Sequence, residues 1–313
     1  MKRFVGVFVV IALVVLVSVF TRSFSQGQSE LANQHKVVHR LQNDNDEEKN
    51  KDAHPAEAGK AAKPSGNNGI VYHGGPLILN TTNVYYIWYG NWSGNTATTI
   101  LQNFAQSIGG SPYFNINTTY YDGTNTHVSN LVHFGGFTTD NYSQGTSLSD
   151  AGVQAVVTSA LVSSRLPYDP NGVYFVLTSA DVTESSGFCT QYCGWHTRGS
   201  INGVDIKYSF VGNPDRCPSA CEAQTTGPNG NAGADGMASI IAHELEEAVT
   251  DPDLNAWYDR RGAENADKCA WTFGTTYTTS NGAKANMKLG GNDYLIQRNW
   301  VNASGGYCSL TYP

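Results

Sequence analysis

Basic residues are scarce. Lys and Arg number 19 against 26 Asp and Glu, giving a formal net charge of −7. Nucleic acids and anionic membranes are bound by a basic face, so the balance argues against both as partners. A long apolar run occurs once, at the N-terminus, and there is no internal repeat. No Gly-x-Ser-x-Gly turn precedes a helix-forming segment, which removes support for Ser/His/Asp catalysis. No glycine-rich loop follows a strand to cradle a phosphate. Cysteine is absent before Cys189, and the Cys-x2-Cys spacing usual for thiolate zinc sites is absent throughout.

What is present at the N-terminus sets an expected compartment. Lys2 and Arg3 precede an unbroken apolar or small-residue stretch from Phe4 to Phe20, and Ser23-Phe24-Ser25 follows as a small-x-small cleavage pattern. Residues 1–25 therefore read as a signal peptide; an uncleaved anchor is the competing reading. Residues 26–68 hold little that could build a core, being charge-dense from Asn43 to Asp52 and rich in Ala, Pro, Gly, Lys and Asn beyond. Such a stretch cannot bury enough apolar surface to offset its ordering entropy, so it reads as a disordered linker. Residues 69–313 suit one globular domain. A secreted, extracellular location is predicted.

The six cysteines agree with export. Cys189, Cys193, Cys217, Cys221, Cys269 and Cys308 all fall in the last domain, an even count that reads as three disulfides. Two local Cys-x3-Cys pairs plus Cys269–Cys308 is the simplest connectivity among the fifteen that six cysteines allow. Sequons at Asn80, Asn91, Asn117, Asn141 and Asn302 are glycan acceptors only in a eukaryotic host. The Gly-, Tyr-, Thr-, Ser- and Asn-rich composition is common in exported proteins that meet carbohydrate or cell-wall material.

Periodicity predicts the elements. Asn83 to Gly90 is an aromatic, β-prone run, and Thr96 to Ile108 carries apolar residues at helical spacing. Strand-like pieces follow at Thr118–Tyr121 and Val128–Phe137. Ser149 caps a second helix through Ser164, with Val153, Val156, Val157, Ala160 and Leu161 on its buried face. Gly172 to Thr178 is continuously apolar, as expected of a strand buried on both sides. Ile206 to Val211 is another strand, and Trp257 to Pro313 reads as loops and short strands. The order implies an α/β or α+β fold, a mixed sheet with packed helices in a single disulfide-bonded domain.

A third helix carries the chemistry. In Gly236 to Pro252, Asp235 is the expected cap and Pro252 the stop. His243 and Glu247 lie four apart and project from one face; Glu244 sits at its edge. Zinc proteases place two ligands and a general base this way, in His-Glu-x-x-His. This chain has His-Glu-x-x-Glu, which is chemically allowed but less specific. Asp267 follows Glu247 by 20 residues, close to where gluzincins place a third carboxylate ligand, and Glu264 follows by 17 as a rival. Cys269 would brace this loop. The competing reading makes Glu244, Glu246 and Glu247 a solvated acidic face, although His243 adjoins Ile240 and Ile241 rather than polar residues. His196, in Cys193-Gly194-Trp195-His196, is a further candidate, as a ligand or electrophilic helper or else as a surface histidine in a cysteine-rich turn.

Several segments together resemble the EXORDIUM / phosphate-induced protein family over most of residues 70–313. They are Val71-Tyr72-His73-Gly74-Gly75-Pro76, Tyr86-Ile87-Trp88-Tyr89-Gly90, Phe188-Cys189-x3-Cys193-Gly194-x-His196, Cys217-Pro218-x2-Cys221, and Pro228-Asn229-Gly230 through Asp235-Gly236-Met237. The resemblance implies a secreted protein linked to growth promotion and the cell wall, in a family without an established catalytic activity. Two functions stand open. One is a zinc-dependent, metallopeptidase-like hydrolase with His243, Glu247 and Asp267 or Glu264 as ligands and Glu244 as base, acting on a peptide substrate. The other is a non-enzymatic extracellular or cell-wall-associated binding or signalling protein whose acidic helix is structural or holds calcium.

Overall fold

The computed structural model describes residues 69–313. The expected signal segment and linker lie outside the described residues. No helix among those residues is long and apolar enough to cross a membrane.

The core is a five-stranded mixed sheet. Its strands are β1 (Thr82–Tyr89), β2 (Val132–Asp140), β3 (Gly172–Thr178), β4 (Gly194–Ile201) and β5 (Val204–Val211). They lie in the order β2-β1-β3-β5-β4; β1 pairs parallel with β2 and β3, β3 pairs parallel with β5, and only the β4 edge is antiparallel. A parallel centre must be covered on both faces, and every residue of β3 is buried. The β2 edge instead alternates between exposed and half-buried residues until Asp140. A register shift at Val84/Tyr85 coincides with Gly135, where an ideal Cβ would lie 2.3 Å from the Tyr85 ring; only glycine lets this ring pack down.

Three helices cover the sheet: α1 (Ala97–Ser107), α2 (Asp150–Val162) and α3 (Ala232–Thr250). Ser149 caps α2 as expected, its hydroxyl accepting from Gly152 N at 3.1 Å. Side-chain alternation along β4 shows that α2 and α3 lie on opposite faces. A Cβ at Gly194 would meet Ile240 of α3, whereas one at Gly199 would meet Gln154 of α2. Helix α1 packs beside α3.

Two expectations about local structure are corrected. Phe114–Thr119 forms a 3-10 helix, so Thr118–Tyr121 is not a strand. Its Thr118 and Thr119 hydroxyls donate to carbonyls three residues back, at 2.8 Å each, which satisfies the turn locally. Helix α3 begins earlier than expected: Asn231, not Asp235, is the cap, with Asn231 Oδ1 accepting from Ala234 N at 3.0 Å. Asp235 lies in the first turn, where its carboxylate accepts from Asn229.

All six cysteines are bridged. The Cys269–Cys308 pairing is as expected, but the other two run between segments: Cys189–Cys217 and Cys193–Cys221. Each Cys-x3-Cys pair projects its sulfurs in one direction, Cys189 and Cys193 across a turn and Cys217 and Cys221 along the helical turn Pro218–Cys221. The two segments therefore face each other and bridge as a ladder. This ladder fastens the start of β4 to the approach to α3. Of the sequon asparagines, Asn117 is fully buried and offers no surface for a glycan.

Candidate metal centre

Helix α3 brings its acids inside. His243, Glu244, Glu246 and Glu247 are all at most 1% exposed, so the solvated-face reading of these acids does not hold. Ionised carboxylates are not buried in this number without cations or protons to compensate. The covering elements come from elsewhere in the chain. Strand β4 lays His196 against the helix, and the segment ending in the turn Asp267–Cys269 brings Glu264 and Asp267 over it.

Two groups of potential ligand atoms result, each with members within 4.8 Å of one another: His243, Glu247 and Asp267, and His196, Glu244 and Glu247. In the first, His243 Nε2 lies 2.9 Å from Glu247 Oε1 and 3.6 Å from Asp267 Oδ1. In the second, His196 Nδ1 lies 3.4 Å from Glu244 Oε2 and 3.5 Å from Glu247 Oε2. On the other side of the same ring, His196 Nε2 is 3.7 Å from Glu264 Oε1. Glu264 thus belongs to the His196 side, and Glu244, next to His243 in sequence, also turns toward His196.

The loop is held in place by its own hydrogen bonds. Asp267 N–H donates to Glu247 Oε1 at 3.1 Å, and Glu264 N–H donates to Asp267 Oδ2 at 3.0 Å. Lys268 pairs with Asp259 at 3.2 Å and lies over the Trp300 ring. The Cys269–Cys308 bridge ties the turn to the strand Tyr307–Ser309.

Burial and mutual charge shift every group. Burial disfavours the charged imidazoles, but Glu244 and Glu247 outweigh it at His196 and hold that ring up at about 10. At His243 the same burial is outweighed by Glu247, Asp267 and Glu244, again to about 10. Burial lifts Glu244 to about 7 against the pull of His196 and His243, and lifts Asp267 to about 6 with help from the Glu247 charge. Glu264 is pushed well above the carboxylate range by burial and by Glu247, Asp251 and Asp267. Burial acts on Glu247 too, but His243 and His196 overcome it and hold that carboxyl well below the usual range.

Sequence reasoning missed a polar layer behind these residues. Asn299 Nδ2 donates to Glu246 Oε2, and Asn265 Nδ2 donates to the Glu246 carbonyl at 3.2 Å. Asp251 closes the helix end by accepting from Asn255 N and Ala256 N, at 2.6 Å each. The Asp251 contacts are local, but no spacing in the sequence signals the Asn265 and Asn299 partners of Glu246, which come from other segments. A shallow pocket lies along the first half of α3, bordered by Ser239, Ile240, Glu222, Trp271, Phe273 and Gln297.

Residues 70–297 match the family described as the phosphate-induced protein 1 conserved region. The chain belongs to this family. It is 35% identical over 278 residues to Protein EXORDIUM-like 3 of Arabidopsis thaliana, spanning 76% of this chain and 82% of that protein. It is 33% identical over 271 residues to Protein EXORDIUM-like 5 of the same plant, spanning 73% and 74%. Protein PHOSPHATE-INDUCED 1 of Nicotiana tabacum is 26% identical over 220 residues, spanning 60% and 67%. No solved structure is a significant match. All residues of both ligand groups fall within the phosphate-induced protein region, as do both bridges of the cysteine ladder.

Proposed function

We propose that this member of the phosphate-induced protein family is a secreted, zinc-dependent hydrolase of peptide-like bonds in extracellular or cell-wall material. The observation that carries the reading is the convergence of His243 Nε2, Glu247 Oε1 and Asp267 Oδ1 in a buried setting. Tetrahedral zinc with bonds of about 2.0–2.1 Å needs donor atoms roughly 3.3 Å apart. The separations of 2.9 and 3.6 Å straddle that value. An imidazole in the donor set favours zinc over calcium, which takes six to eight oxygens.

A zinc ion held there would polarise a carbonyl and lower the pKa of water. The chain's own contribution is a proton acceptor. Glu244 follows the ligand His243 directly, and burial lifts its carboxyl to about 7, near the pH at which a general base works best. His196 faces Glu244 Oε2 and orients it. The three disulfides suit an oxidising, extracellular setting.

The burial of the whole cluster favours one rival, a non-enzymatic extracellular or cell-wall protein in which the ion is structural. Metal analysis and peptide-hydrolysis assays on the purified chain separate the two. Zinc that is lost in His243→Ala, with activity abolished in a Glu244→Gln variant that keeps an ion at His243, supports the hydrolase. Zinc without any cleavage of a peptide library supports the structural role. Calcium unaffected by His243→Ala sinks the zinc reading altogether.

A further inference from the structure

We infer that the buried cluster is built for two divalent cations, with Glu247 bridging them. The inference rests on the metal-centre reading above and extends it. Glu247 offers one oxygen to each side: Oε1 faces His243 Nε2 at 2.9 Å, and Oε2 faces His196 Nδ1 at 3.5 Å. A single ion at His243, Glu247 and Asp267 makes no use of the second oxygen. Glu247 is 0% exposed, and its Oε2 has no hydrogen-bond partner among the described residues. The second set, from His196, Glu244 and Glu247, falls within the same 4.8 Å limit as the first and is buried throughout, whereas Asp267 of the first is half-buried.

Charge points the same way. Four carboxyl groups, from Glu244, Glu247, Glu264 and Asp267, surround two imidazoles. Metal ligation requires neutral imidazoles. Two divalent ions match the charge of these four groups when all are ionised, whereas one ion leaves the remainder to be neutralised by protons. Uncompensated buried charge is expensive, so a cluster this acidic favours a second cation.

Glu264 has a distinct role in this arrangement. With His196 Nδ1 directed to the second ion, the ring must carry its proton on Nε2, which lies 3.7 Å from Glu264 Oε1. His196 Nε2 and Glu264 Oε1 each lack a hydrogen-bond partner among the described residues, so a small approach of the two would supply the orienting bond that metal-bound histidines take. Glu244 meets the second ion through Oε2. Its Oε1, also without a hydrogen-bond partner, remains the atom able to accept a proton. The mixed imidazole and carboxylate donors suit zinc or manganese.

The test is metal stoichiometry on the full chain. Chelator-treated protein is titrated with zinc, and bound metal is counted after dialysis. Two equivalents are expected, falling to one in His196→Ala and to one in His243→Ala. In Glu247→Gln the bridge fails, and both are weakened. One equivalent that is lost in His243→Ala but unchanged in His196→Ala overturns the second ion and leaves the hydrolase reading standing. No bound metal at all overturns both. Manganese loading of the unaltered chain keeps the inference testable if the variants misfold. An exchange-coupled pair spectrum in electron paramagnetic resonance is expected, and an isolated-ion spectrum at saturation overturns it.

Discussion

Gly194 sets how closely β4 approaches the metal-centre helix. An ideal Cβ there would lie 2.5 Å from Ile240 Cγ2, 2.9 Å from the Phe210 carbonyl oxygen and 3.2 Å from Glu244 Oε1. The Phe210 oxygen is backbone of the paired strand β5 and cannot turn aside, and Ile240 Cγ2 belongs to a buried, branched side chain, so Gly194→Ala must shift β4 relative to both β5 and α3. His196 is two residues on, along the same face, and moves with it. Overpacking of this kind costs about 1–3 kcal/mol, and disturbing the surroundings of a metal ligand typically weakens binding about 10–100-fold. Gly194→Ala should therefore lower the thermal midpoint and weaken the ion at His196 more than the ion at His243. Gly199→Ala is the control. It meets Gln154 Nε2 at 2.7 Å on the opposite face, the far end of a flexible side chain. Equal metal titrations for Gly194→Ala and the unaltered chain would remove His196 from the centre.

At the scale of elements, the centre is a helix held between a strand and a loop, and each contact has its own disulfide. The ladder Cys189–Cys217 and Cys193–Cys221 secures β4, while Cys269–Cys308 secures the loop carrying Glu264 and Asp267. Replacing both Cys269 and Cys308 by serine should cost about 2–4 kcal/mol in denaturant unfolding. The ion at His243 should be released preferentially, since Asp267 loses its brace while β4 keeps its own. Uniform loss at both positions would show that the loop does not act separately. Much of this architecture is legible in the chain itself. The Ser149 cap, the apolar run of β3 and the His243/Glu247 spacing on α3 are local signals, set by a turn or a period within one segment. The rest depends on contacts between distant segments. An acidic stripe such as Glu244, Glu246 and Glu247 looks the same in sequence whether water or a loop covers it. What covers it here is His196, 48 residues away from Glu244 along the chain. The crossed disulfides and the Asn299 partner of Glu246 are hidden for the same reason. The start of α3 shows the opposite limit: Asn231 and Asp235 are both plausible caps locally, and only the backbone decides.

For the whole molecule, the buried charges make stability depend on pH and metal together. In the metal-free fold, His196 and His243 are held up at about 10 because Glu244, Glu247 and Asp267 outweigh the penalty of burial. Their contribution is complete below the ordinary histidine value near 6.5 and is lost as pH rises toward about 10. Glu244 and Asp267, lifted to about 7 and about 6 by burial, add a cost that grows as pH rises above the ordinary carboxylate range. Glu247 acts in the opposite sense, held low by His243 and His196; its contribution is complete above that range and lost only in acid. From about pH 5 to pH 9 metal-free stability therefore falls, first as Glu244 and Asp267 and then as the two histidines lose protons, while Glu247 stays ionised throughout. Metal binding runs the other way, because ions compete with protons for these same imidazoles and carboxylates. Thermal unfolding of chelator-treated protein should thus show a midpoint falling across this range, while saturating zinc flattens the decline. The gap between the two curves should widen with every step in pH. Parallel curves would mean that zinc binds away from the buried histidines, since only a site that displaces their protons couples metal to stability with this sign.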